Sequence, residues 1–277
     1  MRIPHTLLVL CDCWKEAEKR LAEEIGQYAR IGEESITEWF HKHFKFVLIE
    51  ASKDRLIEMA FLDDLNEAFP GLVDGAQLAR LAHGLIADVT LHNRRKEGET
   101  GGDMGFMISR PQISRLGDTL SVDSYRRGLL CQAKLKDVKG KWRNLEGHGK
   151  RQMKALADKL EYLGLLLYSY DEKTQYQLRP FLWQLCDTAS SIEEVNHWLR
   201  QGNFPSLTDS RTVIQGVGAG KIGTDDGQVI DEIVVPDGNR SLIIRIDWPE
   251  GSGPASVVQV SSKAKRSATV SVCVSNR

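Results

Sequence analysis

No unbroken apolar run in this chain approaches the roughly 20 residues a membrane-spanning helix needs, so no membrane partner is expected. Cysteine is sparse. Cys11, Cys13, Cys131, Cys186 and Cys273 include no CxxC pair, and their odd number and scatter fit reduced thiols rather than a disulfide framework or a zinc site. The short apolar patch before Cys11 has no small-residue cleavage site and runs into a Glu-rich helix, which argues against a signal peptide and for a cytoplasmic chain. Neither a Ser/His/Asp elbow nor an HExxH metal motif occurs. A formal net charge of -1 gives no global sign of a polyanionic partner.

That average conceals a segregation. Residues 1–75 carry nine Lys and Arg against fifteen Asp and Glu, whereas residues 126–154 carry ten against two. Arg94, Arg95 and Lys96 add further positive charge just before an acidic stretch. At 277 residues, with 41% hydrophobic and 27% charged, the chain can bury a full core as one large domain with appendages.

Apolar residues three and four apart predict helices over 14–30 (Ala17, Leu21, Ile25, Tyr28), 35–50 (Ile36, Trp39, Phe40, Phe44, Val47) and 55–69 (Ile57, Met59, Phe61, Leu62, Leu65). His41 and His43 fall on opposite sides of the second, a structural placement rather than a ligand pair. Asp74 is placed to cap a fourth helix through Ala76, Leu78, Leu81, Leu85 and Ile86, ending near a basic turn at Arg94. A short apolar strand over 103–109 is then broken by Arg110-Pro111, a polar connection covers 111–127, and 128–135 form a second strand. A helix over 152–162 precedes 164–170, apolar enough for a strand buried on both faces. Residues 176–183 suggest a further strand, Ser191 caps a helix reaching Arg200, and 232–235 and 241–248 read as strands. Val270, Val272 and Val274 alternate as in an edge strand or a frayed tail. The expected fold is α/β, helices covering a mixed sheet. Its divisions are a helical segment over 1–75, a core over 76–185, an α+β extension over 186–250 and a Ser/Val-rich tail over 251–277.

The chemistry gathers between Glu97 and Lys134. Asp103 heads an apolar strand after Gly101-Gly102, glycines that leave room for an ion and substrate to approach the backbone, and is the first candidate metal ligand. Gln132 and Lys134 are two apart on a strand and project from one face. The Gln132 amide oxygen or the Ala133 carbonyl could add ligation, and Lys134 could orient water or stabilise charge on phosphorus. Hydrolysing a phosphodiester needs an activated water and neutralisation of developing charge, and a divalent ion on hard oxygens supplies both. The glycine run 216–224 suggests a phosphate-cradling loop, but Gln215 stands where Gly is required and Ile222 where Ser or Thr is required, so a turn is expected.

Thr100-Gly101-Gly102-Asp103 and Gln132-Ala133-Lys134 resemble the second and third motifs of the PD-(D/E)xK, or restriction-endonuclease-like, nucleases, in the branch whose third motif is Gln-x-Lys. The resemblance covers about residues 76–170. It implies a restriction-endonuclease-like core, a metal-dependent DNA endonuclease activity with Mg2+ or Mn2+, and the setting of a prokaryotic restriction or anti-phage defence effector. It also implies an acid from the first core helix or just after it, which Glu97 or Glu99 matches with Glu97 preferred, and a polar residue opening the helix after the Lys, which Gln152 matches. Metal ligands would then be Asp103, Glu97, Gln132 and Ala133. The DNA contacts would come from Arg94, Arg95, Lys136, Lys141, Arg143, Lys150, Arg151 and Gln152. Double-stranded DNA is the expected partner, with a homodimer or other defence-system subunits beside it. The rival expectation is an inactive DNA-binding or assembly module that keeps the nuclease fold.

Overall fold

The computed structural model describes residues 3–26, 30–54, 56, 59–60, 63–64, 67, 86–116, 119–145, 150–173, 177–234, 241–247, 257–263 and 268–272. A mixed sheet forms the centre, with strand order β6-β5-β4-β3-β2-β1 continued beyond β1 by β7-β8-β9. These strands are β1 (Ile86–Leu91), β2 (Met104–Leu116), β3 (Thr119–Leu135), β4 (Leu163–Tyr168), β5 (Leu182–Leu185), β6 (Leu207–Asp209), β7 (Ser241–Asp247), β8 (Val257–Lys263) and β9 (Ala268–Val272). All neighbours pair antiparallel except β3 and β4, which are parallel, with Leu130 opposite Leu163 and Leu135 opposite Tyr168. A parallel pair needs a long crossover. It is supplied here by residues 136–162, which include helix α4 (Lys150–Ala157) and a 3-10 turn at Leu160–Tyr162.

Helices cover both faces. On one side α1 (His5–Ile25), α2 (Glu33–Lys53) and α6 (Ser210–Gly218) share a core with the inward residues Ala87, Val89, Leu91, Phe106, Leu129 and Ala133. Trp14 is its hub, with ring centroids 4.5 Å from Phe40, 5.1 Å from Phe44 and 5.8 Å from Phe106. The opposite face carries α4, α5 (Ile192–Gln201) and α7 (Gly227–Val234) over Leu130, Leu163, Leu165 and Leu167. With both faces covered, β4 is buried at every position, as its apolar sequence predicts. Among the described residues no helix is long and apolar enough to cross a membrane.

Several elements depart from the sequence reading. Ile86 opens β1 rather than ending a helix. Residues 87–91 alternate, with Ala87, Val89 and Leu91 toward one core and Asp88 and Thr90 toward the other face, which is the two-residue period of a strand. The basic turn at Arg94 is instead helix α3 (Arg94–Thr100), capped by Asn93, whose side chain accepts from Lys96 N, and closed by Gly101 at φ 83. Pro111 does not end β2. The last β1 pair is Ile86 with Ser109, so beyond it β2 has only β3 as a described neighbour, and a residue without an N–H is tolerated on such an edge. The connection expected over 111–127 is therefore the outer part of a long hairpin, with Leu116 opposite Thr119. Residues 232–234 close helix α7 and are not a strand, and the strand expected over 176–183 lies later, as β5. The helix expected over 76–85 lies outside the described residues, as does part of the one over 55–69.

The Ser191 cap stands as read, its side chain accepting from Glu194 N at 3.3 Å. The glycine run of 216–224 forms the turn expected of it. Its amides close the end of α6, with Ala219 N on Gln215 O, Gly220 N on Val217 O, and Lys221 N and Ile222 N on Gly216 O. Thr224 then bridges to Gly128 on β3.

Candidate active site

The site is a notch in the sheet. β2 stops pairing with β3 at Met104 opposite Cys131, and Asp103 adds one last ladder bond, its N–H donating to Cys131 O at 2.9 Å. Past that point the amides of β3 that face β2 have no strand to meet. Two carboxylates take them. Asp103 Oδ2 accepts from Ala133 N at 2.7 Å, and Glu33 Oε2 accepts from Leu135 N at 2.7 Å. Glu33 begins α2, where its charge also suits the positive end of the helix dipole.

Gln132 and Lys134, on either side of the Ala133 amide, are fully buried. Lys134 Nζ lies 3.5 Å from Glu33 Oε1. Gln132 Nε2 donates to Asp103 Oδ2 and, at 3.3 Å, to Ala133 O, while Gln132 Oε1 is buried with no hydrogen-bond partner. Burial pushes the Asp103 carboxyl up to about 7; Lys134 and the Ala133 amide pull it back, and the charges of Glu33 and Glu97 add to the rise. An acid held so near neutrality can exchange a proton for a cation at little cost.

His92 fixes the turn that delivers Asp103. Its backbone N–H donates to Asp103 O at 2.9 Å, its Nδ1 lies 2.8 Å from Gly102 O, and its Nε2 lies 2.7 Å from Ile233 O in the last turn of α7. Burial lowers the His92 pKa against those two carbonyl contacts, which raise it. The two glycines do not open a channel. A Cβ on Gly102 would meet Leu130 Cδ1 at 2.5 Å and Cys131 O at 3.0 Å, so the missing side chain makes room for Leu130, and Gly101 serves its positive φ.

The sequence-predicted residues divide clearly. Asp103, Gln132, Ala133 and Lys134 converge, and Glu97 is near enough for its charge to act on Asp103. Glu99 turns to the cations of its own helix, 3.2 Å from Arg95 and 3.8 Å from Lys96. Lys141 and Arg143 are exposed, while Lys136 lies 3.5 Å from Glu172. The side chains of Arg94, Lys150, Arg151 and Gln152 lie outside the described residues. Glu33 is the residue that sequence reasoning missed. Its signal was position, an acid in the first turn of the helix whose Ile36, Phe40 and Phe44 form the buried stripe.

Among the described residues no group of three or more His, Cys, Asp or Glu is close enough to hold a metal ion. That does not exclude Mg2+, which takes one or two carboxylates and keeps several waters for the substrate phosphate to share or displace. Asp103, Glu33, the unpartnered Gln132 Oε1 and the Ala133 carbonyl are hard oxygens of the kind it prefers, and the orphaned amide oxygen is the feature that would best suit such a cation. Neither a protein-family model, nor a curated protein, nor a solved structure matches this chain.

Proposed function

We propose that this chain is a metal-dependent endonuclease that hydrolyses DNA phosphodiester bonds on a restriction-endonuclease-like core. The observation that carries the reading is the pairing of Asp103 and Glu33 on alternate β3 amides, Ala133 and Leu135, around buried Lys134, with an unpartnered Gln132 oxygen beside them. The order of strand, short helix, two further antiparallel strands, helix and parallel strand, β1-α3-β2-β3-α4-β4, supports it as a mixed α/β frame of the kind the sequence resemblance implies.

Asp103 and Glu33 would hold Mg2+ or Mn2+, with Gln132 Oε1, the Ala133 carbonyl and Glu97 completing or adjusting the set. When bound, such an ion supplies a more acidic water and neutralises charge developing on the phosphate. The chain's own groups do the rest. Ala133 N and Gln132 Nε2 hold Asp103 Oδ2 in place, and Oδ1 would be the oxygen offered to the ion. Leu135 N anchors Glu33 Oε2 in the same way. Lys134, fully buried and so little screened by solvent, holds its ammonium 3.5 Å from Glu33 Oε1, where it would orient the attacking water or stabilise the crowded phosphorus. A prokaryotic restriction or anti-phage role belongs to the same proposal.

The self-satisfied geometry, with Gln132 already bonded to Asp103 and Lys134 to Glu33, favours one second reading, a module that binds DNA and no longer cuts. Plasmid cleavage with Mg2+ or Mn2+ separates the two. Asp103→Ala and Lys134→Ala are expected to abolish cutting while DNA binding persists, and Glu33→Gln to slow it roughly 10- to 100-fold, with Glu99→Gln near wild type. Undiminished cleavage by the Asp103 and Lys134 variants rejects the site. A wild type that binds DNA and cuts nothing establishes the module.

A further inference from the structure

We propose that residues 136–143 form a preorganised hairpin that lies along the phosphate backbone of duplex DNA beside the Asp103–Glu33 notch. The inference rests on the nuclease reading for its substrate, and adds the element that holds it.

The segment is built, not merely connecting. Lys136 bridges antiparallel to Trp142, Asp137 N donates to Lys141 O at 2.7 Å, and Gly140 N donates to Asp137 O at 3.1 Å. Asp137 Oδ1 accepts from both Lys139 N and Lys141 N at 2.8 Å, and Gly140 supplies the φ of 77 that the turn demands. Its base is clamped on both sides. Arg30 donates to Lys136 O while lying 4.6 Å over the Tyr170 ring, and Trp142 packs edge-on against Phe204 with centroids 5.7 Å apart. A turn ordered in advance loses little entropy when a partner arrives.

What the hairpin offers is positive charge around an apolar tip. Val138, Lys139, Lys141 and Arg143 are exposed, Val138 at 76%. The segment's one acid, Asp137, is spent on the turn's own amides. Its position decides the partner. The hairpin starts two residues beyond Lys134, and at about 3.3 Å per residue its tip stands within about 13 Å of that lysine's backbone. A DNA strand carries one phosphate per roughly 3.4 Å of axis and winds as it rises, so successive phosphates are farther apart than that, and a strand with its reacting phosphate at Lys134 has about two more within the hairpin's reach. Val138 would meet sugar and base edges between the phosphates that Lys139 and Lys141 contact.

The test uses the full chain and a short fluorescein-labelled DNA duplex, with anisotropy read without divalent ions across a salt series. Lys139→Glu with Lys141→Glu is expected to weaken duplex binding by about 10-fold or more and to make the slope of log affinity against log salt shallower by about 2, one unit for each lost phosphate contact. Both side chains are exposed, so the melting temperature should hold; Lys139→Ala with Lys141→Ala is the gentler second variant. Hydrolysis of bis(p-nitrophenyl) phosphate, too small to touch the hairpin, is measured with duplex cleavage in the wild type and reads the nuclease chemistry separately. Unchanged duplex affinity and slope in both double variants overturns the hairpin, whether or not the protein cuts. So does a wild type that holds single-stranded DNA of the same sequence but not the duplex. Loss of duplex affinity in the variants, in a protein whose wild type hydrolyses neither substrate, keeps the hairpin and removes the nuclease reading.

Discussion

A carboxyl group taken out of water must find donors or keep its proton. Glu18 has done some of each. It lies under α1 with Trp14 Nε1 at 2.7 Å, Ser210 Oγ at 2.5 Å and Phe181 N at 3.2 Å, yet burial outweighs those bonds and raises its pKa to about 7. The folded chain therefore binds this proton more tightly than the unfolded chain does. The contribution to stability is whole below the ordinary value of 4.5 and is lost as pH climbs through about 7. Melting temperatures taken near pH 5 and near pH 8 should fall with pH in the wild type and fall less in Glu18→Gln, which has no proton to lose. Equal slopes would show that Glu18 is not the group that titrates. The same physics holds Asp103 near 7, but there the cost has a use, because an ion can replace the proton. Nothing in the charged run from Lys15 to Arg20 marks Glu18 as a buried acid; only the neighbours that folding brings, three donors for Glu18 and a notch for Asp103, set the two carboxyls apart.

At the scale of elements, α7 is pressed against the strand that Asp103 introduces. A Cβ on Gly105 would stand 2.3 Å from Ile233 O and 2.6 Å from Ile233 Cγ2, and a backbone carbonyl cannot swing aside as a side chain can. Gly105→Ala is accordingly expected to cost roughly 1–3 kcal/mol or more in denaturant unfolding, as overpacking does. Because Ile233 O also receives His92 Nε2, the same substitution should disturb the Gly102 turn and slow any cleavage. A loss of stability with full activity would mean that α7 supports the fold and not the site. How legible these elements were follows from their periods. The long stripe of α2 and the apolar run of β4 could be read because each keeps one period throughout. The strand β1 escaped although Ala87, Val89 and Leu91 alternate in sequence with Asp88 and Thr90, which are buried with Thr90 Oγ1 bonded to Asp88 Oδ1 at 2.8 Å. Its first residue, Ile86, also extends the helical spacing of Leu78, Leu81 and Leu85, and so short a strand is easily drawn into that pattern. Pro111 misled for a different reason: a strand-breaking residue is harmless where β1 no longer pairs with β2.

The whole molecule is what assembles the site, and that explains why half of it could be read and half could not. Asp103, Gln132 and Lys134 belong to one hairpin, and their spacing is visible on paper. Glu33 lies 101 residues from Lys134 and reaches it because α1 and α2 share the core that backs β1 to β3, a fact of packing that no local motif carries. Acids close in sequence, Glu97 and Glu99, drew the eye instead. The same long range gives a thermodynamic handle. An unfolded chain cannot bring Glu33 to Asp103, so an ion that needs both binds the fold alone and stabilises it by mass action, about 2.7 kcal/mol at a hundredfold excess over its dissociation constant. For a chain of this size that corresponds to a rise in melting temperature of roughly 5–10 °C. Mg2+ or Mn2+ should produce such a shift in the wild type, a smaller one in Glu33→Gln and none in Asp103→Ala, and the shift should shrink as acid restores the Asp103 proton. Identical shifts in all three proteins would place the ion elsewhere. A shift that shrinks in Glu33→Gln and vanishes in Asp103→Ala would mean that one cation is shared by two carboxylates which the sheet holds at its notch, Asp103 on Ala133 N and Glu33 on Leu135 N, whether or not a phosphodiester is ever cut there.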